Sequence, residues 1–303
     1  MAEVTVFDLE PGTGGDAAYY VGACTHVNES EEMDACARRR LAWLEKMYAS
    51  GVRVKVAAVN GELAGFAYVM PIGVSPWGPL GDDLAVLPCL VVQRKARGTG
   101  AGRALMAAAE EEARRQGFKG LATIAYYWDF WFMPASFFER LGYRVAERRG
   151  EEAVLWKVFA DAPPAAAGLP PAATGAAPRA PRLLTPRHEF EPIPGKVVVD
   201  LFWNTFCQTS DIEAQRVREV AAEFGDAVVL REYCADDRSV LLRYERARGI
   251  FVQGREVGWG YEAPREGIRQ AIATALAELT GSWCRPPRPH SPRGTPAPGQ
   301  PGP

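Results

Sequence analysis

The chain has 303 residues, which is long enough for two domains. Its 35 Lys and Arg residues nearly balance 37 Asp and Glu residues, and a net charge of −2 argues against a nucleic-acid partner. The sequence contains no apolar run of membrane-spanning length, and its first residues lack the basic start and apolar core of a signal peptide. We therefore expect a cytoplasmic protein with neither a nucleic-acid nor a membrane partner.

The number and spacing of the cysteines bear on two questions, whether a metal is bound and whether the thiols are free. The six cysteines lie far apart in the sequence: Cys24, Cys36, Cys89, Cys207, Cys234 and Cys284. They show none of the paired spacings that are typical of zinc sites, so no metal is expected. In a reducing compartment most of them should be free thiols.

Two segments differ sharply in composition from the rest of the chain. Residues 160–194 and residues 284–303 are rich in Ala, Pro and Gly and carry few side chains that could form a core. The first segment is predicted to be a linker and the second a disordered tail. Two folded domains remain, at residues 1–159 and 195–283.

The apolar pattern of residues 1–159 predicts a domain of mixed strands and helices. In chain order we expect a strand at 4–9, a helix at 31–49, strands at 52–59, 63–70 and 84–92, a helix at 102–116, a strand at 121–125, a helix at 134–141, and strands at 143–147 and 153–159. Asn60-Gly61 between two of these strands is typical of a tight hairpin. Gly117 is a suitable helix end.

A glycine-rich loop links the strand at 84–92 to the helix that follows it. Residues 97–102 read RGTGAG, and Arg94, Lys95 and Arg103 lie close by in the sequence. Small residues let a ligand approach the backbone, and free N–H groups at a helix N-terminus attract anions. The loop therefore predicts a phosphate site for a small anionic ligand, the alternative being a solvated basic turn.

This loop resembles the pyrophosphate loop of the GNAT family of N-acetyltransferases. Residues 135–143, ASFFERLGY, resemble a later helix of that family, and the element order is similar over residues 4–159. The resemblance implies an α/β fold, more narrowly an α+β GNAT fold with a mixed central sheet, and acetyl-CoA as cofactor. It also implies acetyl transfer by direct attack of an amine in a ternary complex. We expect a small-molecule acceptor, with a protein amine as the alternative.

The resemblance assigns cofactor binding to the end of the strand and to the loop. The residues expected to bind acetyl-CoA are Leu90, Val91, Val92, Arg97, Gly98, Thr99, Gly100, Ala101, Gly102 and Arg103. Pro88 interrupts the same strand and indicates a bulge or an edge, because proline cannot donate to a ladder. The family splays its central strands near this point, so that amides around residues 89–91 could polarise the thioester carbonyl.

Acetyl transfer to an amine needs a base for the ammonium and an acid for the departing thiolate. The family often places a Tyr acid at the position of Phe138, which cannot donate a proton. Tyr126 and Tyr127 are the candidate substitutes. Asp83, or its neighbour Asp82, stands where the family often has a carboxylate base. The alternatives are a simple turn for the aspartates and core packing for the tyrosines.

The acceptor pocket is predicted from two short segments. His26 and Asn28 precede the first long helix, where the family builds its substrate wall. Trp128 and Asp129 belong to an aromatic cluster with a carboxylate, which could hold a cationic amine. His26 could also act as a base. A core or rim position for the aromatic cluster, and an ordinary hydrogen-bonding role for His26, are the alternatives.

Residues 195–283 predict a second α/β domain. The expected elements are a strand at 196–203, a helix at 211–224, a strand at 228–233, a helix at 236–244, strands at 250–252 and 256–259, and a helix at 264–279. This order resembles the thioredoxin fold. The turn from Trp203 to Ser210 resembles its active-site turn, with Ser210 in place of the second cysteine.

The predicted thiol site of this domain consists of Cys207 and Ser210. A cysteine at a helix N-terminus is expected to have a lowered pKa, and it could form mixed disulfides or bind a ligand thiol. Cys234 could be its resolving partner, although residues 247–249 lack the family's cis-proline. The alternatives are a structural or docking domain, or one that holds a thiol substrate for the first domain. For the whole chain, the alternative is an acyl-CoA sensor or thiol-binding redox protein without acetyl turnover.

Overall fold

The structure is a computed structural model that describes residues 2–128, 132–159, 178–259 and 261–283. Within these ranges the chain forms two sheets, one in each of two units. The strands of the first unit are β1 (Val4–Asp8), β2 (Arg53–Val59), β3 (Glu62–Pro71), β4 (Ala85–Val92), β5 (Gly120–Tyr126), β6 (Arg144–Arg149) and β7 (Glu152–Val158). Its helices are α1 (Asp16–Ala23), α2 (Glu31–Met47), α3 (Ala101–Arg115) and α4 (Ala135–Glu139).

The first sheet is mixed, as predicted. Its seven strands are ordered β1-β2-β3-β4-β5-β7-β6, and only β4 and β5 run parallel. Asn60 and Gly61 adopt positive φ angles of 50° and 81° and join β2 to β3 in the predicted hairpin. The short helix α1 was not predicted. Every other predicted element of this unit is present within a few residues of its expected ends.

Side chains that alternate across the strands bury both faces of this sheet. On one face, α1 and α2 cover a core that includes Leu44, Val54 and Phe66. On the other face, α3 covers a core that includes Leu105 and Leu87. The central strand β4 therefore has packed side chains on both faces of the sheet. It adjoins both of the cavities described below.

Pro88 lies at a bulge where the two central strands separate. Tyr68 pairs with Cys89 and Met70 with Val86, so one residue of β3 lies opposite two residues of β4. The parallel pairing of β4 with β5 ends at Val86. Beyond that point the β4 edge faces a gap between strands. Of the two structures that Pro88 indicated, the bulge is confirmed, since β4 lies at the centre of the sheet.

The second unit has a four-stranded sheet with the predicted order of elements. Its strands are β8 (Val197–Trp203), β9 (Val228–Cys234), β10 (Gly249–Val252) and β11 (Arg255–Val257), and its helices are α5 (Gln208–Glu223), α6 (Arg238–Tyr244) and α7 (Arg265–Trp283). The sheet order is β11-β10-β8-β9, with β8 and β9 parallel and the other neighbours antiparallel. Apolar side chains of α5 and α7 pack on β8 and β10.

Part of the segment predicted as a linker lies between the two units. Residues 160–177 fall outside the described ranges, whereas residues 178–194 form an extended segment. Arg182 forms a β-bridge with Leu80 and an ion pair with Glu245 at 2.6 Å. Leu183 is buried in the core of the first unit. This segment therefore holds the units together as well as linking them in sequence.

Helices α2 and α5 form the main contact between the units. Arg39 pairs with Asp211 at 2.8 Å, and the Cys36 thiol donates to the Gln208 carbonyl at 3.4 Å. The two units, each of the predicted α/β architecture, thus pack against each other. None of the helices in the described ranges is both long and apolar enough to cross a membrane. The same ranges contain no group of three or more acidic, His or Cys side chains that could hold a metal ion.

Candidate active site

The glycine loop lies at the N-terminus of α3. Gly98 and Gly100 adopt positive φ angles of 80° and 96°, which favour glycine. A Cβ atom added at either position would meet no atom within 4 Å, so both face open space. Within the described residues, the N–H groups of Gly98, Gly100 and Gly102 donate to no protein acceptor. The loop therefore presents free backbone donors at the positive end of a helix dipole.

A groove with a volume of about 720 Å³ runs from this loop towards α4. Most of the predicted cofactor-binding residues line it, namely Leu90, Val92, Arg97, Gly98, Gly100, Ala101, Gly102 and Arg103. Thr99 instead donates its hydroxyl to the Ala96 carbonyl at 2.7 Å and so fixes the loop. Val91 points to the opposite face of the sheet and is buried there. Phe138 lies at the far end of the groove and carries no polar group.

A second cavity, of about 450 Å³, lies on the other face of β4 and between the two units. Both units contribute to its lining, which consists of Cys24, Arg40, Trp77, Pro88, Cys89, Tyr126, Trp128, Phe132, Phe206, Cys207, Gln208, Thr209, Arg248 and Tyr261. The lining is mainly aromatic and apolar, and no carboxylate belongs to it within the described residues. Because Pro88 and Cys89 line it, the cavity meets the gap between the central strands.

The structure separates the two candidate acids. Tyr126 lines the cavity between the units, and burial raises the pKa of its phenol above the ordinary value. Tyr127 instead donates its hydroxyl to Glu139 at 2.6 Å, and Arg148 lies 3.8 Å from the centre of its ring. Only Tyr126 is therefore in a position to meet a ligand of the cavity.

Other predicted catalytic and substrate residues are dispersed. Asp83 has a φ angle of 57° at the turn before β4, lies 3.6 Å from Lys119 and lines neither cavity. Asn28 is exposed, and its backbone N–H donates to the Tyr19 hydroxyl. Trp128 lines the cavity between the units. Asp129 lies outside the described residues.

His26 connects the two units as a cation. Its Nδ1 lies 2.6 Å from Glu29 and its Nε2 lies 3.0 Å from Glu262 of the second unit. The close approach of the Glu262 carboxylate, supported by Glu29, raises the pKa of His26 to about 9. The ring is therefore protonated at neutral pH. The prediction that His26 could act as a base is wrong, because two carboxylates hold its proton.

A buried arginine lies at the inner end of the cavity between the units. Arg40 is 1% exposed, and its guanidinium donates to the Val21 carbonyl at 3.0 Å. Its guanidinium carbon lies 4.9 Å from the centre of the Tyr68 ring and 5.4 Å from that of Phe206. No carboxylate of the described residues pairs with it, and its Nε has no hydrogen-bond partner there. A buried cation without a carboxylate needs another source of negative charge.

Three thiols, Cys24, Cys89 and Cys207, surround this arginine. A hydrogen bond from Cys89 lowers the pKa of Cys24, and Arg40 lowers it further. The pKa of Cys89 is raised correspondingly. The sequence analysis missed this cluster because the three cysteines are far apart in the chain. The one available signal was Arg40 itself, which falls on the apolar face of α2 with Cys36 and Leu44.

Cys207 does not behave as its place at the start of α5 predicted. Burial raises the pKa of its thiol, so the predicted lowering is wrong; the desolvation cost exceeds the help of the helix and of Arg248. Ser210 accepts from the Asn204 N–H at 3.0 Å and does not line the cavity. Cys207 interacts electrostatically with Cys24. Cys234 is also a free thiol, with a pKa raised to about 12 by burial and Asp236.

One protein-family model matches part of the chain. Residues 50–145 match the sequence model of the acetyltransferase (GNAT) domain. A comparison with curated protein sequences finds no match. Similar solved structures include the PaiA N-acetyltransferase of Thermoplasma acidophilum in complex with coenzyme A, at 15% identity over 52% of this chain and 99% of that chain, with a TM-score of 0.37.

Two further structures are similar to a comparable share of the chain. The yncA protein of Salmonella typhimurium, assigned as an acetyltransferase and solved with its cofactor acetyl-CoA, is 20% identical over 53% of this chain and 98% of that chain, with a TM-score of 0.37. An aminoglycoside 6′-acetyltransferase type Ii is 19% identical over 52% of this chain and 99% of that chain, with a TM-score of 0.40.

The family match covers the glycine loop, the strand with Pro88 and α4, which together form the groove. The likeness to the acetyltransferase (GNAT) domain thus concerns residues 50–145 of the first unit. The second unit lies outside this match and supplies part of the cavity on the other face of the sheet.

Proposed function

We propose that the protein transfers an acetyl group from acetyl-CoA to the amine of a small molecule held between its two units. The observation that carries this proposal is the arrangement around β4. A groove with a glycine loop lies on one face of the sheet, a cavity lies on the other, and the strands separate at Pro88 between them. A thioester donor and an amine acceptor could therefore meet from opposite faces.

The loop residues fit the diphosphate of coenzyme A. Gly98, Gly100 and Gly102 offer N–H donors, and Arg97 and Arg103 add positive charge along the groove. The open space at the first two glycines leaves room for phosphate to approach the backbone. Acetyl-CoA, when bound, supplies an activated acetyl thioester.

The separated part of β4 fits the task of activating that thioester. The β4 edge beyond Val86 has no ladder partner in β5, so its backbone polar groups face the gap. Thr123 donates its hydroxyl to the Leu87 carbonyl at 2.7 Å. This carbonyl, which directly follows the end of the ladder at Val86, therefore has a hydrogen-bond partner. Backbone amides fixed in this way could stabilise negative charge on a carbonyl oxygen without reorganising.

We propose Tyr126 as the proton donor to the departing sulfur. Its high pKa keeps the phenol protonated at neutral pH, and it lines the cavity that meets the gap. Asp83 receives no role in this proposal, because it pairs with Lys119. Direct attack by the acceptor amine is the expected route, and it needs both ligands to be bound at once.

The cavity favours a small acceptor. Its volume of about 450 Å³ lies in the usual range for small-molecule sites, and the second unit forms one of its walls. The aromatic lining, which includes Trp77 and Phe132, favours an acceptor with an apolar part. A protein amine would require the second unit to move away.

We propose that the second unit is a thioredoxin-like domain whose role here is to close the acceptor cavity. Its sheet order β11-β10-β8-β9, with a parallel pair at β8 and β9, supports the likeness. The turn that would carry redox chemistry in such a domain instead inserts Phe206 against Tyr68 of the first unit, with ring centres 5.1 Å apart. Arg248 lies opposite Cys207 and pairs with Glu213 at 2.7 Å.

Calorimetric titration with acetyl-CoA tests the proposal. Replacing Gly100 with Val adds a branched side chain at a positive φ angle in the loop, and should weaken binding at least about tenfold. Gly150→Val is the matched control, because Gly150 also has a positive φ angle and open space but lies in the β6–β7 turn. Equal affinities in the two variants, or no binding by the unmodified chain, would refute the proposal. Release of free CoA thiol with a panel of small amines then measures turnover.

A further inference from the structure

Cys24 has an unusual backbone conformation at the edge of the cavity. It ends α1 with φ 53° and ψ −111°, a region that residues with a side chain adopt only at an energetic cost. Its N–H nevertheless donates to the Tyr20 carbonyl at 3.1 Å, so the surrounding structure fixes it there. The thiol is only partly buried and opens onto the cavity. Backbone strain of this kind clusters at functional sites, where the fold holds a side chain in one orientation.

The Cys24 thiol has polar and charged neighbours. Cys89 and Arg40 line the same cavity, and both lower the pKa of the Cys24 thiol, as does the positive charge of His26. Arg40 is buried, lines the cavity and has no hydrogen-bond partner for its Nε among the described residues. The Cys24 thiolate is thus the natural counter-charge of a buried cation that otherwise has none. This arrangement is independent of the glycine loop.

Cys24 also lies where the two ligand sites meet. It lines the cavity between the units and also a second cleft, of about 530 Å³, that extends to Arg94 and Arg97 at the start of the glycine loop. Cys89, which lines the same cavity, directly follows Pro88 at the gap between the central strands. A thioester that reached this gap would therefore lie beside the Cys24 sulfur.

We infer that Cys24 is a nucleophile of this cavity and accepts the acetyl group from acetyl-CoA as a thioester of its own. The inference rests on the proposed function, in which it replaces direct attack by the acceptor amine with two steps through Cys24. The Cys24 sulfur forms a bond to the acetyl carbonyl carbon, the bond from that carbon to the coenzyme A sulfur breaks, and the departing sulfur takes a proton from Tyr126. No oxidant or reductant is needed.

The new thioester on Cys24 keeps the acetyl group activated. An amine in the cavity forms the C–N bond, the carbonyl carbon releases the Cys24 sulfur as a thiolate, and the proton lost by the amine returns through solvent to the Tyr126 phenolate. Arg40 stabilises the thiolate before the first step and after the second. Cys89, whose thiol lines the same cavity and lowers the pKa of Cys24, acts as a positioning residue.

Peptide mapping of the full chain tests the inference directly. The protein is mixed with acetyl-CoA without any amine, quenched in acid and digested. We expect one acetyl group on the peptide that contains Cys24, sensitive to hydroxylamine as thioesters are. Cys24→Ala should abolish it, whereas Cys234→Ala should retain it, because Cys234 is a half-buried thiol that does not line the cavity.

A second measurement needs no acetyl-CoA. Limited alkylation with iodoacetamide at neutral pH should label Cys24 before Cys89 and Cys207, because only the pKa of Cys24 is lowered. Arg40→Met should slow the labelling of Cys24 at least tenfold. Arg39→Met is the matched control, since Arg39 is its neighbour on α2 but pairs with Asp211 outside the cavity.

The outcomes separate this inference from the proposed function. If calorimetry shows that acetyl-CoA binds and the map shows no acetyl group on Cys24, or places it on Cys207, the inference is overturned and the proposed function stands. If acetyl-CoA does not bind, both fail. The mapping of the unmodified chain decides the matter even if a variant fails to fold.

Discussion

Adjacent residues Tyr126 and Tyr127 show how strongly surroundings decide a chemical role. Both are phenols at the end of β5, and both have raised pKa values. Tyr126 is half-buried at the cavity, whereas the Tyr127 hydroxyl donates to Glu139 of α4. The sequence could name the pair but could not choose between them, because the choice depends on contacts that form only in the folded chain.

Tyr126→Phe should lower kcat by roughly 100-fold, because the departing sulfur would lose its proposed proton donor. The KM for acetyl-CoA should change little, since the loop and groove are untouched. Tyr127→Phe is the matched control and should retain activity. Steady-state kinetics of CoA release checks both variants. Full activity in Tyr126→Phe would remove this residue from the mechanism.

Single residues were also where the sequence analysis failed. His26 was a candidate base because a lone histidine titrates near neutral pH, but Glu262 lies more than two hundred residues away in sequence and turns it into a cation. Cys207 was expected to be acidic at a helix start, but the first unit covers it and burial raises its pKa. In both cases the deciding neighbour belongs to the other unit.

The turn between β8 and α5 is one of the elements that join the second unit to the first. It inserts Phe206, which is 2% exposed, between Trp43 and Tyr68, with ring centres 5.6 Å and 5.1 Å away. The Arg40 guanidinium also lies over this ring. The same turn carries Cys207 and forms a wall of the cavity, so docking and cavity closure depend on one element.

Phe206→Ala should lower the free energy of unfolding by about 3 kcal/mol, because it leaves a cavity among aromatic rings. Leu242→Ala is the control, since Leu242 is 48% exposed on the second unit and should cost less than about 0.5 kcal/mol. Urea unfolding followed by tryptophan fluorescence measures both. If the two variants unfold at the same urea concentration, Phe206 does not join the units.

The positions of strands and turns were predicted more accurately from the sequence than the surroundings of single residues. Alternating apolar residues located the strands, Asn60-Gly61 located a hairpin, and Pro88 located the bulge at the gap. The helix α1 was missed because its eight residues follow a glycine-rich stretch and carry only a weak helical pattern. The thiol cluster was not predictable, because its three cysteines lie in or next to α1, β4 and α5, which are far apart in the chain. Helix α5 joins the other two elements only when the units pack.

At the scale of the whole molecule, charged pairs join the units around the cavity. Glu32 of α2 pairs with Arg216 of α5 at 3.0 Å, and His26 pairs with Glu262 at 3.0 Å. Residues 178–194 add a further connection through Arg182 and Leu80. The composition of residues 160–194 predicted a spacer, and its described half instead packs against both units, because Leu183 finds a place in the core.

The His26 pair makes stability depend on pH in the alkaline range. Its pKa rises from an ordinary value of 6.5 to about 9 in the folded chain. The stabilisation is therefore fully present below about pH 6.5 and is lost as the pH rises through 9. We expect a loss of about 2 kcal/mol after allowing for solvent screening at the exposed Glu29.

Urea unfolding at a series of pH values tests this expectation. Charged groups that face His26 are Glu29, Glu262 and the Cys24 thiol, with Arg216 beyond Glu262. His26→Gln should flatten the pH dependence between 6.5 and 9, because the titrating group is gone. An unchanged profile in that variant would show that His26 is not the group responsible.

The most direct measurement is a crystal structure of the full chain with coenzyme A. We expect the diphosphate on the N–H groups of the 98–102 loop, and the sulfur in the gap beside Pro88, within reach of Cys24. A structure in which coenzyme A binds elsewhere, or in which side chains fill the gap between β4 and β5, would contradict the account.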